Sequence, residues 1–370
     1  MINKAATNID LDCRLVPESG LAVHVETHTG GTLWLITEPN GLDDTNGRLI
    51  ASGGSFTLES GMLTIPLHQL RMVGPKRVIY AGVAGDVDMD AFDRNVRLLG
   101  GSGQESLRGL HAGVVGLSGT GSPVFEQLVR LGVGQITAID PKVMSSSNLT
   151  RIHGSARADI GRPKSAIAQD YASRIGLDTR VNAVHGTVLD REVAELLRSC
   201  DVIFACTDEQ RGRNVLSRLA YRYLIPVFNV GVEVDSRNSE VSGIYGRLTV
   251  VGPGLPCLSC SGQVDAMTMR AEALSTEERH ALLAEGYIKE LPGEAPAVIS
   301  YTTAVASLAI SEFLNRAFNL GEAPPHQLMW FHRGRLNVDE RVRRPGCYCS
   351  DVEFVGRGDG PDFLDLGWPK

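Results

Sequence analysis

No apolar run in this chain approaches the roughly 18 residues that a helix needs to cross a bilayer, which argues against a membrane-spanning protein and against a membrane partner. The opening MINKAATNIDLDCRL has no apolar core of signal-peptide length, so a cytoplasmic location is expected. Positive charge is not in excess. The 36 Lys and Arg stand against 43 Asp and Glu, a formal net charge of −7, which speaks against a nucleic-acid partner held by phosphate neutralisation. There is no even cysteine framework: seven cysteines and no secretory leader do not suggest a disulfide scaffold. Internal repeats are missing as well. Residues 261–346 contain no cysteine at all.

What is present is a chain of 370 residues, 43% hydrophobic and 21% charged, enough for a sizeable core and for two domains or one large domain with an appendage. Residues 1–87 carry short β-rich runs (LAVHVET, TLWLIT, MLTIPL, RVIYAG) between Gly, Asn and Asp clusters, and read as a small β-rich domain. Residues 88–99 read as a helix, and GGSG at 100–103 as a linker or loop. From 110 onward strands and helices alternate: LHAGVVG, QITAID, RVNAVH, DVIFACTD and PVFNVGV against SPVFEQLVRLG, RPKSAIAQDYASRIG, REVAELLRS and QRGRNVLSRLAYRYL. That alternation predicts an α/β fold, a Rossmann-like, mainly parallel sheet with helices on both faces. EVSGIYGRLTVV begins an antiparallel section, a helical segment lies around 264–286, and VISYTTAVASLAISEFLNRAFN is a long apolar helix before a late strand, QLMWFH. The tail, 351–370, has five acidic residues among Gly and Pro and reads as a flexible end.

The stretch GLSGTG sits between a strand and the helix that carries Pro123 in its first turn. Gly116, Gly119 and Gly121 allow a tight turn and close backbone approach, and the helix start favours an anion. The spacing is G-x-x-G-x-G, not the dehydrogenase G-x-G-x-x-G, and a plain strand-to-helix turn would look similar. Asp140 ends the next strand, where an acid can accept hydrogen bonds from ribose hydroxyls. NAD and ATP both fit so far. Arg151, Lys164 near a helix start, and Asp208 after the fourth strand of the unit then converge on the carboxyl ends of the strands. Cations over a phosphate chain suit an enzyme that breaks ATP, where charge builds on departing pyrophosphate, and an acid there is a natural Mg²⁺ ligand.

At this point the chain resembles the ThiF/MoeB-type adenylyltransferases, the superfamily of ubiquitin-activating enzymes. The similar stretches are DRNVRLLGGSGQESL, GLSGTGS, ITAIDPKVMSSSNLTR, IGRPKS, CTDEQRGRN and the CLSC and CYC pairs, in the family's order over roughly residues 92–350. The resemblance implies that Asp140 holds the ribose, that Asn148, Arg151 and Lys164 contact the ATP phosphates, and that Asp208 binds Mg²⁺. Arg94 matches an arginine that reaches the phosphates from a neighbouring subunit, with Gly103-Gln104-Glu105 downstream of it, so a homodimer is expected. The implied reaction is adenylation of a carboxylate, typically the C-terminus of a small ubiquitin-like protein. The alternatives are a short ribosomal peptide or other small carboxylate as substrate, or a non-catalytic scaffold of the same fold. Nothing in the chain positions a hydride acceptor for an NAD enzyme.

The pairs Cys257/Cys260 and Cys347/Cys349 suggest a closed, structural Cys₄ zinc site, although the second pair is one residue shorter than the usual C-x-x-C. Many relatives take the acyl group on a cysteine in the crossover loop before the long helix. Here that region, KELPGEAPAV included, has none. Of the remaining cysteines, Cys200 and Cys206 flank a buried-looking strand and Cys13 has no supporting motif. The adenylate itself is therefore the expected product, to be handed to a conjugating or sulfur-transfer partner. Residues 1–87 are expected either to recognise the substrate or to serve packing. The basic stretch HRGRLNVDERVRR reads as a solvated strand pair able to steer an acidic partner.

Overall fold

The structure is a computed structural model that describes residues 9–12, 22–27, 32–36, 47–52, 55–60, 63–82, 87–237, 240–275, 277–279, 283, 296–351, 353–356 and 363–368. Cys13 and most of KELPGEAPAV lie outside the described residues. Two sheets organise the chain. The first is wholly antiparallel and holds β1 (Ile9–Asp12), β2 (Ala22–Thr27), β3 (Thr32–Ile36), β4 (Gly47–Ser52), β5 (Ser55–Ser60), β6 (Leu63–Val73) and β7 (Val78–Gly82). The four β-rich runs of the sequence fall on β2, β3, β6 and β7. Strand β6 is the spine, pairing with β5 through Ser60↔Leu63, with β2 and with β7.

The second sheet has the order β10-β9-β8-β11-β12-β13-β14-β15. Its strands are β8 (His111–Val115), β9 (Gln135–Ile139), β10 (Arg180–Val184), β11 (Val202–Ala205), β12 (Val227–Arg237), β13 (Glu240–Val251), β14 (His326–Trp330) and β15 (Arg335–Val338). Pairing is parallel from β10 to β12 and antiparallel from β12 to β15, so the expected antiparallel section begins at β13. The parallel strands are apolar throughout because both faces are covered. On β11, Val202 and Phe204 join the core under α2 (Gly121–Arg130) and the long helix α7 (Ile299–Phe318). Ile203 and Ala205, pointing the other way, join the core under α5 (Gln210–Arg222). No helix of the described residues is long and apolar enough to cross a membrane.

Three sequence expectations are corrected. GGSG at 100–103 is no linker: helix α1 (Asp93–Gly109) runs through it, and only Gly100, at φ +75°, leaves helical geometry. Gly103 is close-packed, since a Cβ would come 2.8 Å from the Leu99 Cβ and 3.4 Å from the Phe318 ring. The helical segment around 264–286 is interrupted: α6 (Ala266–Ala273) stops at Leu274, and the described residues 277–279 and 283 are helical again. The described part of the tail is not a free end. Phe354, Val355, Phe363 and Leu364 are buried against α5, Arg218 donates to the Leu364 carbonyl at 2.6 Å, and Trp368 stacks on Phe363.

The two sheets are locked by a buried ion pair. Arg71 of β6 lies 3.0 Å from Asp201, just ahead of β11, and also donates to the carbonyls of Cys200 and Tyr223. The second Asp201 oxygen accepts from the backbone of His111. Breaking a buried pair costs about 3–5 kcal/mol because a charge is left without its partner. Arg71→Ala is therefore expected to lower the unfolding free energy by about 3 kcal/mol or more, read as a drop in the urea midpoint. An unchanged midpoint would mean that the two sheets are held together elsewhere.

Candidate nucleotide site

The chain runs from β8 to β9 and β10 on one side, then returns to place β11 on the other side of β8. Ligands of open α/β sheets bind at such a reversal, outside the carboxyl ends of the strands. The glycine loop lies there. Gly116 has φ +88°, and a Cβ on it would sit 2.5 Å from the Cys206 carbonyl oxygen in the loop after β11. Gly121 closes the turn so tightly that a Cβ would fall 1.7 Å from the Gly116 oxygen. Gly119 is tightly packed, with the Thr302 methyl of α7 at 3.2 Å and the Arg151 side chain at 3.4 Å from a would-be Cβ.

Asp140, only 4% exposed, follows β9 and binds both sides of this loop. One oxygen accepts from the Leu117 backbone at 2.7 Å, the other from the Lys142 backbone at 2.8 Å. Each oxygen keeps a further lone pair for a ribose hydroxyl. Lys164 opens α3 (Lys164–Ile175), is 6% exposed, and brings Nζ to 4.0 Å from Asp140. Burial pushes its ammonium below the usual lysine range, and Asp140 opposes that shift. Arg151 is held by a 2.7 Å hydrogen bond to the Ser147 carbonyl and lies within electrostatic range of Lys164. Asn148 is buried in a one-turn 3₁₀ segment, its oxygen accepting from the Ser145 backbone. Met144, Ile152 and Ile167 form a small apolar cluster beneath this segment. Asp208 is exposed on the loop after β11 and acts electrostatically on Lys164.

The structure thus brings Gly116, Gly119, Gly121, Asp140, Asn148, Arg151, Lys164 and Asp208 to one end of the sheet. Arg94 is not among them: it projects from α1 with its side chain 88% exposed and Asp93 3.9 Å away. Gln104, in the stretch downstream, is buried and donates to the Leu131 carbonyl.

The four paired cysteines meet on the α5 face, their sulfurs all within 4.8 Å of one another. Cys257 and Cys347 are 3.5 Å apart, Cys260 and Cys349 3.7 Å. A sulfur tetrahedron around zinc at about 2.3 Å has edges of about 3.8 Å, so the set fits that ion. The short C-x-C spacing works because residues 348–350 form a 3₁₀ turn that sends Tyr348 away to Ser217. The backbone amides of Cys260 and Arg344 point at the sulfurs of Cys257 and Cys260, as thiolate ligands require. The hydrogen bond from the Cys349 thiol holds Cys257 down to about 5. Elsewhere burial makes the described thiols inert: it drives Cys200 far up and Cys206 up to about 12.

The pattern of the ThiF family matches residues 92–349. This chain belongs to the ThiF family. Molybdopterin-synthase adenylyltransferase of Escherichia coli is 30% identical over 179 residues, 47% of this chain and 68% of that protein. The sulfur carrier protein adenylyltransferase of Thermus thermophilus is 28% identical over 176 residues, 47% of this chain and 64% of its own length. These alignments therefore span about two thirds of the relatives' lengths. Both are named adenylyltransferases, the enzyme class to which this ThiF-family chain is thereby assigned. The crystal structure of E. coli MccB with ATP superposes with a TM-score of 0.54 over 72% of this chain and 75% of MccB; at 17% identity that is a likeness of fold.

Sequence reasoning missed three features of this ThiF-family site. Thr302 of α7 walls the glycine loop. Glu272 of α6 accepts from the Gln210 and Arg211 backbones at 2.9 Å and caps α5 beside Asp208. Arg213, one turn into α5, donates to the Thr207 carbonyl at 3.0 Å. Only Arg213, inside CTDEQRGRN, had a signal in the sequence; the others depend on contacts between distant segments.

Proposed function

We propose that this chain binds ATP at the carboxyl ends of β8, β9 and β11 and adenylates the C-terminal carboxylate of a ubiquitin-like protein. The observation that carries this reading is the 4.0 Å approach of buried Lys164 to Asp140 beside a glycine turn closed against β11. Asp140 receives the ribose while its backbone contacts keep the turn in shape. A substrate carboxylate oxygen attacks the α-phosphorus, the bond to the bridging β-phosphate oxygen breaks, and pyrophosphate leaves with the electron pair. Lys164, Arg151 and Asn148 stabilise the charge that builds on the phosphates, and no general base is required because the nucleophile is already an anion. Asp208 is the ligand for Mg²⁺, which would neutralise phosphate charge when bound. Arg94, exposed beside Asp93 on one protomer, serves the site of a second in a homodimer. Zinc on the four cysteines is structural. No described thiol outside that cluster is reactive, so the acyl-adenylate is passed on to a conjugating or sulfur-transfer partner. Residues 1–87 serve either substrate recognition or packing.

The test is ATP–pyrophosphate exchange with a panel of Gly-Gly-ended small proteins and short peptides. Exchange dependent on one small protein supports the reading, exchange dependent on a peptide moves the substrate class, and no exchange overturns it. Gly121→Ala is expected to weaken binding of a non-hydrolysable ATP analogue at least about tenfold, since no side chain fits against the Gly116 carbonyl. Unchanged affinity in calorimetry would remove the loop from the nucleotide site.

A further inference from the structure

Arg213 of α5 and Arg247 of β13 lie within electrostatic range of each other on the α5 side of the sheet. Arg213 feels Asp208, and Arg247 of β13 feels Arg213 in turn. Arg247 shares its face of β13 with Thr249 and with Val251, which packs under α5. Its Nε is fully shielded from solvent and has no hydrogen-bond partner, and among the described residues Arg247 forms no ion pair. Opposite it in register stands Gly231, where a Cβ would be 3.5 Å from an Arg247 terminal nitrogen and would meet no other atom within 4 Å. The acids nearby act at a distance: Asp208, Glu272 and Glu233 favour the charge on Arg213, and Glu233 favours that on Arg247, without an ion pair to its guanidinium. Glu272 is taken by the backbone of α5, and Glu233 is exposed and forms no ion pair with Arg247 among the described contacts. Burial, with the like charge of Arg213 adding to it, pushes the Arg247 guanidinium down to about 10. Arg247 is half-buried, and its shielded Nε, left without a hydrogen-bond partner, lowers the stability of the free protein, so a role in packing does not explain it. A planar guanidinium with open space above it suits a carboxylate.

We propose that Arg247, with Arg213 beside it, seats a carboxylate of the acyl substrate, either its reacting terminus or an acidic side chain next to it. This rests on the adenylation reading and places the acyl chain over β12 and β13. The nucleotide end of the site is already supplied with Lys164, Arg151 and the glycine loop, whereas Arg247 lies two strands beyond β11, on β13. An acyl chain lying there approaches the nucleotide across Gly231, where the Arg247 guanidinium is the one side chain within 4 Å of a would-be Cβ.

The experiment uses the full chain loaded with the ATP analogue AMP-CPP and Mg²⁺. Ligand-observed NMR follows N-acetylglycine, its neutral amide N-acetylglycinamide, and N-acetyl-aspartic acid amide, whose only acid is the side chain. The wild type is expected to bind at least one carboxylate probe and not the neutral amide; which probe binds separates a terminus from a side chain. Arg247→Met is expected to lose that binding at least tenfold, to keep nucleotide affinity, and to melt at a higher temperature. Lys164→Ala keeps the probe. Carboxylate binding unchanged in Arg247→Met, or absent in the wild type, overturns the inference, as does a lowered melting temperature with the probe still bound. Failure of the adenylation reading shows separately, as missing AMP-CPP binding or missing pyrophosphate exchange.

Discussion

Lys164→Ala is expected to cut ATP–pyrophosphate exchange by about a thousandfold, the scale of removing one preorganised group that meets developing transition-state charge. The expectation follows from where the ammonium is kept. Lys164 begins α3, so the positive end of that helix adds to its charge. It is nearly sealed from water, which strengthens every interaction it makes with a phosphate. Before nucleotide binds, Asp140 balances it at 4.0 Å. Loss of the lysine does not orphan Asp140, whose oxygens still hold the Leu117 and Lys142 backbones. The variant therefore folds, and thermal melting within a few degrees of wild type is the companion result. Lys164→Arg is expected to fail as well, because a guanidinium needs more room than a 6%-exposed lysine pocket provides. Exchange retained above a tenth of wild type in Lys164→Ala would refute the assignment.

Removing the metal from the cysteine cluster has the second largest expected effect. Elemental analysis of purified protein is expected to give one zinc per chain. A strong chelator, or Cys260→Ser, is expected to lower the melting temperature by about 5–10 °C, taking about 2–4 °C per kcal/mol for a protein of this size class. The size of the effect follows from what the site joins. Cys257 and Cys260 leave the region after β13, Cys347 and Cys349 arrive some 90 residues later, and the aromatic tail packs directly behind them. Without the ion, up to four thiolates would repel one another or take up protons, and the tail would lose its anchor. Exchange activity at low temperature is expected to persist, since the cysteine cluster packs into the core under α5 and none of its members is among the residues proposed to hold nucleotide. A metal-free protein with full thermal stability would mean that four reduced thiols suffice.

The parallel half of the large sheet is legible in the sequence because its strands are buried on both faces. HAGVV, QITAI and VIFA are short apolar runs bounded by turn residues, and nothing else accommodates them so simply. The ends of those strands then fix where Gly116, Asp140 and Asp208 come together. GGSG misled because glycine near a helix usually marks its end, whereas Gly103 sits inside α1, where a Cβ would meet Leu99 at 2.8 Å and touch Phe318 of a helix two hundred residues away. The tail misled because its acids and glycines outnumber Phe354, Phe363 and Trp368, yet those rings decide its place. The double duty of Asp140 has no local signal: a ribose ligand and a loop clamp look the same in one letter. Arg247 was illegible for a related reason, since only the register of β12 against β13 sets it opposite Gly231.

The face of the sheet under α5 has one more consequence. Its core is completed by Cys349, Phe354, Phe363 and Leu364, and Arg218 finds its carbonyl partner 146 residues downstream. During translation the α2 and α7 side can consolidate as soon as residue 318 has emerged. The opposite side stays greasy and open until the ribosome has delivered residue 364. A nascent chain stalled between those points would carry a shaped nucleotide pocket on a half-covered sheet, and would be a natural client for a chaperone.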